Sequence, residues 1–274
     1  MDFYSFYTKN LGALSEAAFG LFWTGDYASC HSLLDQNIKV LGASGVGLFD
    51  LLLWHCTGLR TGAAAWDESI KIPRPPSPDE LKNLFEYESS REKSLVNELE
   101  SSPGILHQPL VLNKAILVSA IGLRNDCRVA IETGTYMGTS SYVFSGVFDI
   151  VETIEADASL HRSAATWLAH AAKNVRCHLG NSASVIADLV KDTAMKKIFF
   201  LDAHFSGGPT SQQYGLCPLL EELKIIMECA RDSVVVVDDA RLFGSGGYPT
   251  FAEIFDILPR GKKCTVEHDQ LVIV

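Results

Sequence analysis

A short apolar run that turns through two glycines into a row of hydroxyl residues is the feature that most constrains the fold. Residues 128–141 begin with Val129-Ala-Ile131, which has the length of a buried strand. The chain then passes Gly134 and Gly138 into Thr139-Ser-Ser141, where hydroxyl groups suit the start of a helix. A strand that enters a helix in this way leaves unpaired backbone N–H groups at the turn, which favour a bound ligand. A plain tight turn is the alternative for a lone glycine pair.

Composition limits the classes of protein that the chain can belong to. Hydrophobic residues make up 47% of the 274 residues and charged residues 20%, which is typical of a globular protein. A net charge of -10 argues against a general nucleic-acid binder. No secretory signal is evident, and the apolar residues 46–54 are too few for a membrane span of roughly 20 residues. Seven scattered cysteines without a C-x-x-C pair indicate a reducing compartment, so we predict a cytoplasmic protein without membrane or nucleic-acid partners.

The order of apolar runs predicts two regions, residues 1–100 and residues 101–274. The first is expected to be helical and to serve as a lid or as a homodimer interface, and both alternatives stay open. The proline-rich residues 73–78 are interpreted as a stiff, non-helical connector, followed by a charged helix that begins at Asp79-Glu80 and runs to about Glu100. The second region is predicted to be α/β, a Rossmann-like, mostly parallel sheet of seven strands with helices on both faces. Its strands are predicted at 128–133, 151–156, 175–179, 196–202 and 233–238, with a final strand pair around His268-Asp269; its helices are predicted near 110–123, 139–148, 159–173, 182–192, 212–230 and 249–258.

Ligands of open parallel sheets bind beyond the carboxyl ends of the strands, so the polar residues at those ends are the candidates for function. Glu155 ends the second strand, 21 residues after Gly134. An acid at this distance suits two ribose hydroxyl groups. Tyr136 stands where a dinucleotide fingerprint has its second glycine, which disfavours a pyrophosphate and therefore a nicotinamide-dependent oxidoreductase. A ligand with a ribose and no phosphate fits better, and S-adenosylmethionine is the common one.

Glu132-Thr-Gly-Thr-Tyr-Met-Gly-Thr-Ser140 resembles the first motif of class I S-adenosylmethionine-dependent methyltransferases. The likeness is to the catechol and caffeoyl-coenzyme A type of small-molecule O-methyltransferase, and it covers roughly residues 110–274. Gly180-Asn-Ser-Ala183 resembles the family's adenine-side segment, Leu201-Asp-Ala-His204 the end of its fourth strand, and Val237-Asp-Asp-Ala240 the end of its fifth. The resemblance implies that the cofactor is bound by Glu132, Gly134, Tyr136, Gly138, Ser140, Glu155, Ser182 and Asp202.

Three aspartates at neighbouring strand ends, Asp202, Asp238 and Asp239, would repel one another without a cation or a proton. Their oxygens suit Mg²⁺, and the resemblance implies a divalent metal at these positions. A single aspartate that caps a helix or faces solvent is the alternative. The catechol-type enzymes carry a lysine base where this chain has Phe205, so His204 together with Asp202 is the predicted catalytic pair.

We therefore predict a methyltransferase that acts on a hydroxyl group of a small molecule, with Mg²⁺ as a second cofactor. Asn113 and Lys114 are expected near the ligand mouth, and Arg241 near an anionic group of the substrate. Two alternatives remain open: a metal-independent methyltransferase for nitrogen or another atom, and a non-catalytic nucleoside-binding scaffold of the same fold.

Overall fold

The computed structural model describes residues 21, 26, 28–33, 66, 74–83, 111–191, 194–203 and 217–274. Helices and strands alternate through most of the C-terminal part. The helices are α1 (Val111–Arg124), α2 (Thr139–Ser145), α3 (Ala158–Ala171), α4 (Ser182–Leu189), α5 (Leu219–Cys229) and α6 (Phe251–Ile257). The strands are β1 (Val129–Thr133), β2 (Ile150–Glu155), β3 (Val175–Leu179), β4 (Lys197–Leu201), β5 (Val234–Val237), β6 (Cys264–Glu267) and β7 (Gln270–Ile273).

The strands form one seven-stranded sheet in the order β3-β2-β1-β4-β5-β7-β6. Pairing is parallel from β3 to β5, and β7 pairs antiparallel with both β5 and β6. The predicted Rossmann-like sheet is thereby confirmed, including the final pair of strands around His268 and Asp269. The strand order reverses between β1 and β4, and ligands of such sheets bind at this reversal.

Alternate residues of each strand serve opposite faces of the sheet, because successive side chains of a strand point to opposite sides. Ala130 and Phe200 pack in one core with α1 and α2, whereas Ile131 and Phe199 pack in the other with α4, α5 and α6. All five residues of β1 and of β4 are buried, as expected for central parallel strands that are covered on both sides. The site at their carboxyl ends is therefore built on a rigid support.

Residues 74–77 of the proline-rich segment are not helical, as predicted, but the helix expected from Asp79-Glu80 begins one residue earlier. Residues 78–83 are helical, and Pro78 is the first helical residue, a position where its missing N–H removes no helix hydrogen bond. Ser77 and Glu80 form a reciprocal cap, in which Ser77 N donates to Glu80 Oε2 at 2.9 Å and Glu80 N donates to Ser77 Oγ at 3.4 Å. Leu81 is fully buried in the same core as α1, so this segment packs against the sheet domain.

The N-terminal region is described only in part. Residues 28–33 are helical, as predicted, but most of residues 1–100 lie outside the described residues. The boundary near residue 100 and the lid or homodimer role stay predictions.

Helix α5 begins at Leu219, and the predicted start at 212 is wrong in that Cys217 and Pro218 are not helical. None of the described helices is long and apolar enough to cross a membrane.

Candidate active site

The turn after β1 has the sharp geometry that its glycines permit. Gly134 and Gly138 have φ of 85° and 80°, and Tyr136 between them also has a positive φ, 49°. Gly138 N donates to Thr135 O at 2.7 Å, which closes the turn immediately before α2. A Cβ atom added to Gly134 would lie 2.8 Å from Asp202 O, so the turn passes directly against the end of β4. The two predicted ligand-binding strand ends therefore meet at this point.

Glu132 lies beneath the turn and is fully buried. Its carboxylate accepts hydrogen bonds from the hydroxyl groups of Ser140, Ser141 and Thr153, the last at 2.8 Å. Burial raises the pKa of Glu132 to about 7, although the three hydroxyl donors act in the opposite direction. Glu132 and Ser140, both predicted to bind the cofactor, thus bind each other, and through this contact they hold the start of α2 against β1 and β2.

Glu155 lies beside the glycine turn, as the 21-residue spacing predicted. Its Oε2 accepts a hydrogen bond from Tyr136 N at 2.8 Å, and its Oε1 accepts one from Asp157 N at 2.9 Å. Burial raises the pKa of Glu155, and the backbone N–H groups oppose that rise. A carboxylate that has only neutral donors and is 6% exposed can accept further hydrogen bonds from a ligand.

Ser182, the predicted adenine contact, is the first residue of α4 and is largely buried. The preceding Asn181 caps the helix by accepting from Ser184 N at 2.9 Å. Ser182 lies near Glu222 on α5, a residue that sequence reasoning did not select, and its hydroxyl lowers the pKa of Glu222. Glu222 is 1% exposed, and the hydroxyl of Thr133 at the end of β1 acts on its pKa in the same direction, so Glu222 lies between the two sides of the predicted cofactor site.

The sequence did contain a signal for Glu222. It lies three residues after Leu219 and four before Ile226, on the buried side of an amphipathic helix where an apolar residue is expected. An acid in that position needs polar partners, and its Oε1 has none among the described residues.

Replacing Glu222 with glutamine should remove a pH-dependent loss of stability. Burial raises the pKa of Glu222 from 4.5 to about 7, so between these values the folded state binds more protons than the unfolded state. The free energy of unfolding should therefore fall as pH rises through this window, by up to about 3 kcal/mol from this group. Urea unfolding at about pH 5 and about pH 8 should show a shallower pH dependence in Glu222→Gln than in the unchanged protein. The exposed Glu228→Gln is the control, and an unaltered slope in Glu222→Gln would contradict the expectation.

Asp202, Asp238 and Asp239 come together at the ends of β4 and β5, as predicted. One carboxylate oxygen from each lies within 4.8 Å of the others. Burial and the neighbouring Asp238 raise the pKa of Asp202 well above its ordinary value. The spacing is thus close enough for one cation to contact all three acids.

The chain's own cations already contact this acid cluster, which we define as Asp202, Asp238 and Asp239. Lys114 Nζ donates to Asp238 Oδ2, and it donates to Asp239 Oδ1 at 3.1 Å. Arg241 Nη1 donates to the same Asp239 Oδ1 at 2.7 Å and also pairs with Asp269. A divalent ion would have to displace Lys114, so the donor set as arranged here does not fit Mg²⁺. Arg241 is paired with Asp239 and Asp269, and its expected place near a substrate anion stays a prediction.

Lys114 stands at the start of α1, near the predicted ligand mouth. Burial alone would lower its pKa, but attraction to Asp238, Asp202 and Asp239 raises the pKa above its ordinary value. Its ammonium group is therefore charged at neutral pH.

His204 and Phe205 lie outside the described residues, and the role of His204 as a base stays a prediction.

Comparison with known proteins gives structural similarity alone. No family model and no curated protein matches the chain. Similar solved structures include the O-methyltransferase TomG from Streptomyces achromogenes in complex with SAM, at 19% identity and a TM-score of 0.44, covering 60% of this chain and 80% of that one. A proposed caffeoyl-CoA O-methyltransferase from Staphylococcus aureus is 20% identical, with 71% and 96% of the two chains covered and a TM-score of 0.44. An O-methyltransferase from Bacillus cereus in complex with SAH is 14% identical, with 72% and 90% covered and a TM-score of 0.44.

These three structures are all methyltransferases, the class that the motifs of this chain resemble. Likeness at this level of identity and TM-score concerns the fold and adds no argument for an activity. The function is therefore inferred from the residues at the strand ends.

Proposed function

We propose that the chain transfers a methyl group from S-adenosylmethionine to a hydroxyl oxygen of a small molecule. The observation that carries the proposal is the position of Glu155, whose carboxylate is hydrogen-bonded to Tyr136 N at 2.8 Å across the glycine turn. This contact brings an acid suited to ribose hydroxyl groups to the reversal of strand order between β1 and β4.

The residues around the turn fit a nucleoside that lacks phosphate. Both oxygens of Glu155 accept a backbone N–H group and keep lone pairs for two ribose hydroxyl groups. The side chain of Tyr136 occupies the place where a pyrophosphate-binding turn needs glycine. Ser182 offers a hydroxyl on the adenine side, near Glu222. When bound, S-adenosylmethionine supplies a methyl group on a positively charged sulfur, an electrophile for an oxygen nucleophile.

A cavity near the acid cluster is a candidate place for a small acceptor molecule. It has a volume of about 600 Å³ and is lined by Cys217 and Pro218, by residues of α5 such as Lys224, by residues 247–249 and by Glu253 of α6. This volume lies in the range of sites for small ligands. Burial raises the pKa of Tyr248, and Asp239 is the nearby acid with the largest effect on it, so the cavity and the acid cluster are neighbours.

The proton of the acceptor hydroxyl has to pass to a base when the oxygen attacks the methyl carbon. Asp202 stands at the end of β4, and burial together with Asp238 raises its pKa above that of an ordinary aspartate, which makes its carboxylate a stronger base. Asp202 and the predicted His204 are the candidates that we propose for this transfer.

A divalent cation at the acid cluster is the second candidate arrangement. The observation in its favour is the approach of Asp202, Asp238 and Asp239 to within 4.8 Å, and oxygen ligands of this type suit Mg²⁺. In this arrangement Lys114 would have to leave the acid cluster, the three aspartates would hold the ion, and the ion would supply Lewis-acid chemistry to an acceptor hydroxyl. Turnover that survives treatment with a chelator would eliminate it.

Calorimetry with S-adenosylhomocysteine and with NAD⁺ tests the proposal first. Binding of S-adenosylhomocysteine without binding of NAD⁺ is expected. Incubation with methyl-labelled S-adenosylmethionine and a panel of small hydroxyl compounds should then give a labelled ether or ester. Failure to bind either form of the cofactor would overturn the proposed function. Label on nitrogen alone would favour the other methyltransferase class, and binding without label transfer would favour a scaffold.

A further inference from the structure

We propose that the Lys114 ammonium group is the resident cation of the acid cluster and takes the position that the sequence resemblance assigns to a divalent metal. The proposal extends the proposed function, and only the part that Lys114 would play in methyl transfer rests on that function. The contacts of Lys114 with the acids stand without it.

The first support is the use of the carboxylate oxygens. Lys114 takes Asp238 Oδ2, and Gln270 Nε2 approaches Asp238 Oδ1 at 3.4 Å. Asp239 Oδ1 accepts from both Lys114 and Arg241. Both oxygens of Asp238 and one oxygen of Asp239 are thus in contact with donors of the chain itself.

The second support is burial. The side chain of Lys114 is 13% exposed, and those of Asp238 and Asp239 are 0% and 7% exposed. Pairs so far removed from water are screened weakly by salt, and each partner left alone would be an uncompensated charge. The backbone of Lys114 is fixed by the next residue, Ala115, which is completely buried in the core under α1.

The third support is the balance of charge. Lys114 and Arg241 bring two positive charges to three acids, and both cations contact Asp239. A divalent ion added to this set would face an ammonium group that already contacts two of its three ligands. Metal binding therefore requires Lys114 to leave.

The Lys114 ammonium group also has one N–H donor that Asp238 and Asp239 do not use. An ammonium group has three N–H donors, and two of them are used by Asp238 and Asp239. The third has no hydrogen-bond partner among the described residues. In the proposed reaction this N–H group is placed to hold the acceptor oxygen and to stabilise the negative charge that develops when the hydroxyl proton leaves. Lys114 is thus assigned to bind the acceptor oxygen and to stabilise its negative charge, the role that the sequence resemblance gives to a metal.

The test measures Mn²⁺ binding to the full chain by electron paramagnetic resonance, without any need for turnover. The unchanged protein and Lys114→Arg are expected to take up no Mn²⁺ at a specific site. Lys114→Met, which removes the ammonium group from the acid cluster, should take up about one Mn²⁺ per chain, with an affinity at least tenfold higher than that of the unchanged protein. Its melting temperature should be higher with Mn²⁺ than without it. Lys173→Met, at an exposed lysine of the same chain, should behave as the unchanged protein.

Uptake of one Mn²⁺ by the unchanged protein that is lost in Asp239→Asn would overturn the proposal. A folded Lys114→Met without Mn²⁺ uptake would overturn it as well, because the acids would then not form a cation position. If Lys114→Met folds only when produced with Mn²⁺, the proposal is supported. If Lys114→Met folds neither with nor without Mn²⁺, the Mn²⁺ uptake of the unchanged protein alone decides whether the proposal stands. Calorimetry with S-adenosylhomocysteine on the same samples reports separately on the proposed function.

Discussion

Replacing Glu155 with glutamine is expected to weaken S-adenosylhomocysteine binding by at least about 100-fold. The loss has two causes. The ribose hydroxyl groups would lose a charged acceptor, and hydrogen bonds to charged groups contribute about 1.5–3 kcal/mol each. The amide would also place an N–H donor opposite either Tyr136 N or Asp157 N, since each carboxylate oxygen now accepts one of these groups. Calorimetric titration of both proteins measures the change.

Glu228→Gln is the matched control, because it makes the same chemical change at an exposed position of α5. Its affinity for S-adenosylhomocysteine should stay within the error of the measurement. Thermal unfolding of Glu155→Gln without ligand separates a collapsed turn from a lost ligand contact. If Glu155→Gln binds within threefold of the unchanged protein, the assignment of Glu155 to the ribose is wrong.

Replacing Gly134 with alanine should destabilise the fold by about 3 kcal/mol and abolish cofactor binding. Gly134 has a φ of 85°, which L side chains rarely adopt, and the new Cβ would lie 2.8 Å from Asp202 O and 3.2 Å from Asp202 C. Both contacts are with backbone, so no side chain can turn away to relieve them. In a domain of this size the melting temperature should fall by about 6–12 °C.

Gly246→Ala separates backbone strain from steric contact. Gly246 also has a positive φ, 58°, but an added Cβ would have nothing within 4 Å. Its cost should be about 1 kcal/mol, the strain of the backbone alone. Equal losses of stability in the two variants would show that β1 and β4 are not pressed together at Gly134.

Much of the sheet domain follows from local patterns in the sequence. The five predicted parallel strands agree with β1 to β5 within one residue at each end, and the apolar runs of β4 and β5 give the clearest signal. The predicted hairpin at His268 and Asp269 is confirmed, and both residues have the positive φ of a tight hairpin turn. The helix predicted to begin at Asp79-Glu80 begins at Pro78, one residue earlier, and Ser77 and Glu80 carry the spacing of a capping box there.

The candidate site was predictable where a residue follows directly from the end of a strand. Glu155 and the three aspartates are of this kind, because the ends of parallel strands share one edge of the sheet. Lys114 pairs with Asp239 across 125 positions of the chain, and no local pattern gives that contact. The donors that reach Asp239 from α1 and from Arg241 depend on how the helices pack, so the contact of Lys114 with these acids could not be predicted from the sequence, and the metal stays a prediction.

The docking of residues 74–83 affects how the protein can be shortened for laboratory production. A fragment that starts at residue 101 would lose Leu81 and would expose to water the apolar residues of the core beside α1 that Leu81 packs against. It would also lose the Pro76 carbonyl, which lies so close to Gly146 that an added Cβ there would be only 2.1 Å away. A recombinant version trimmed to the sheet should therefore begin before Arg74, whose guanidinium pairs with Glu80 at 2.7 Å and secures the first turn of that docked segment.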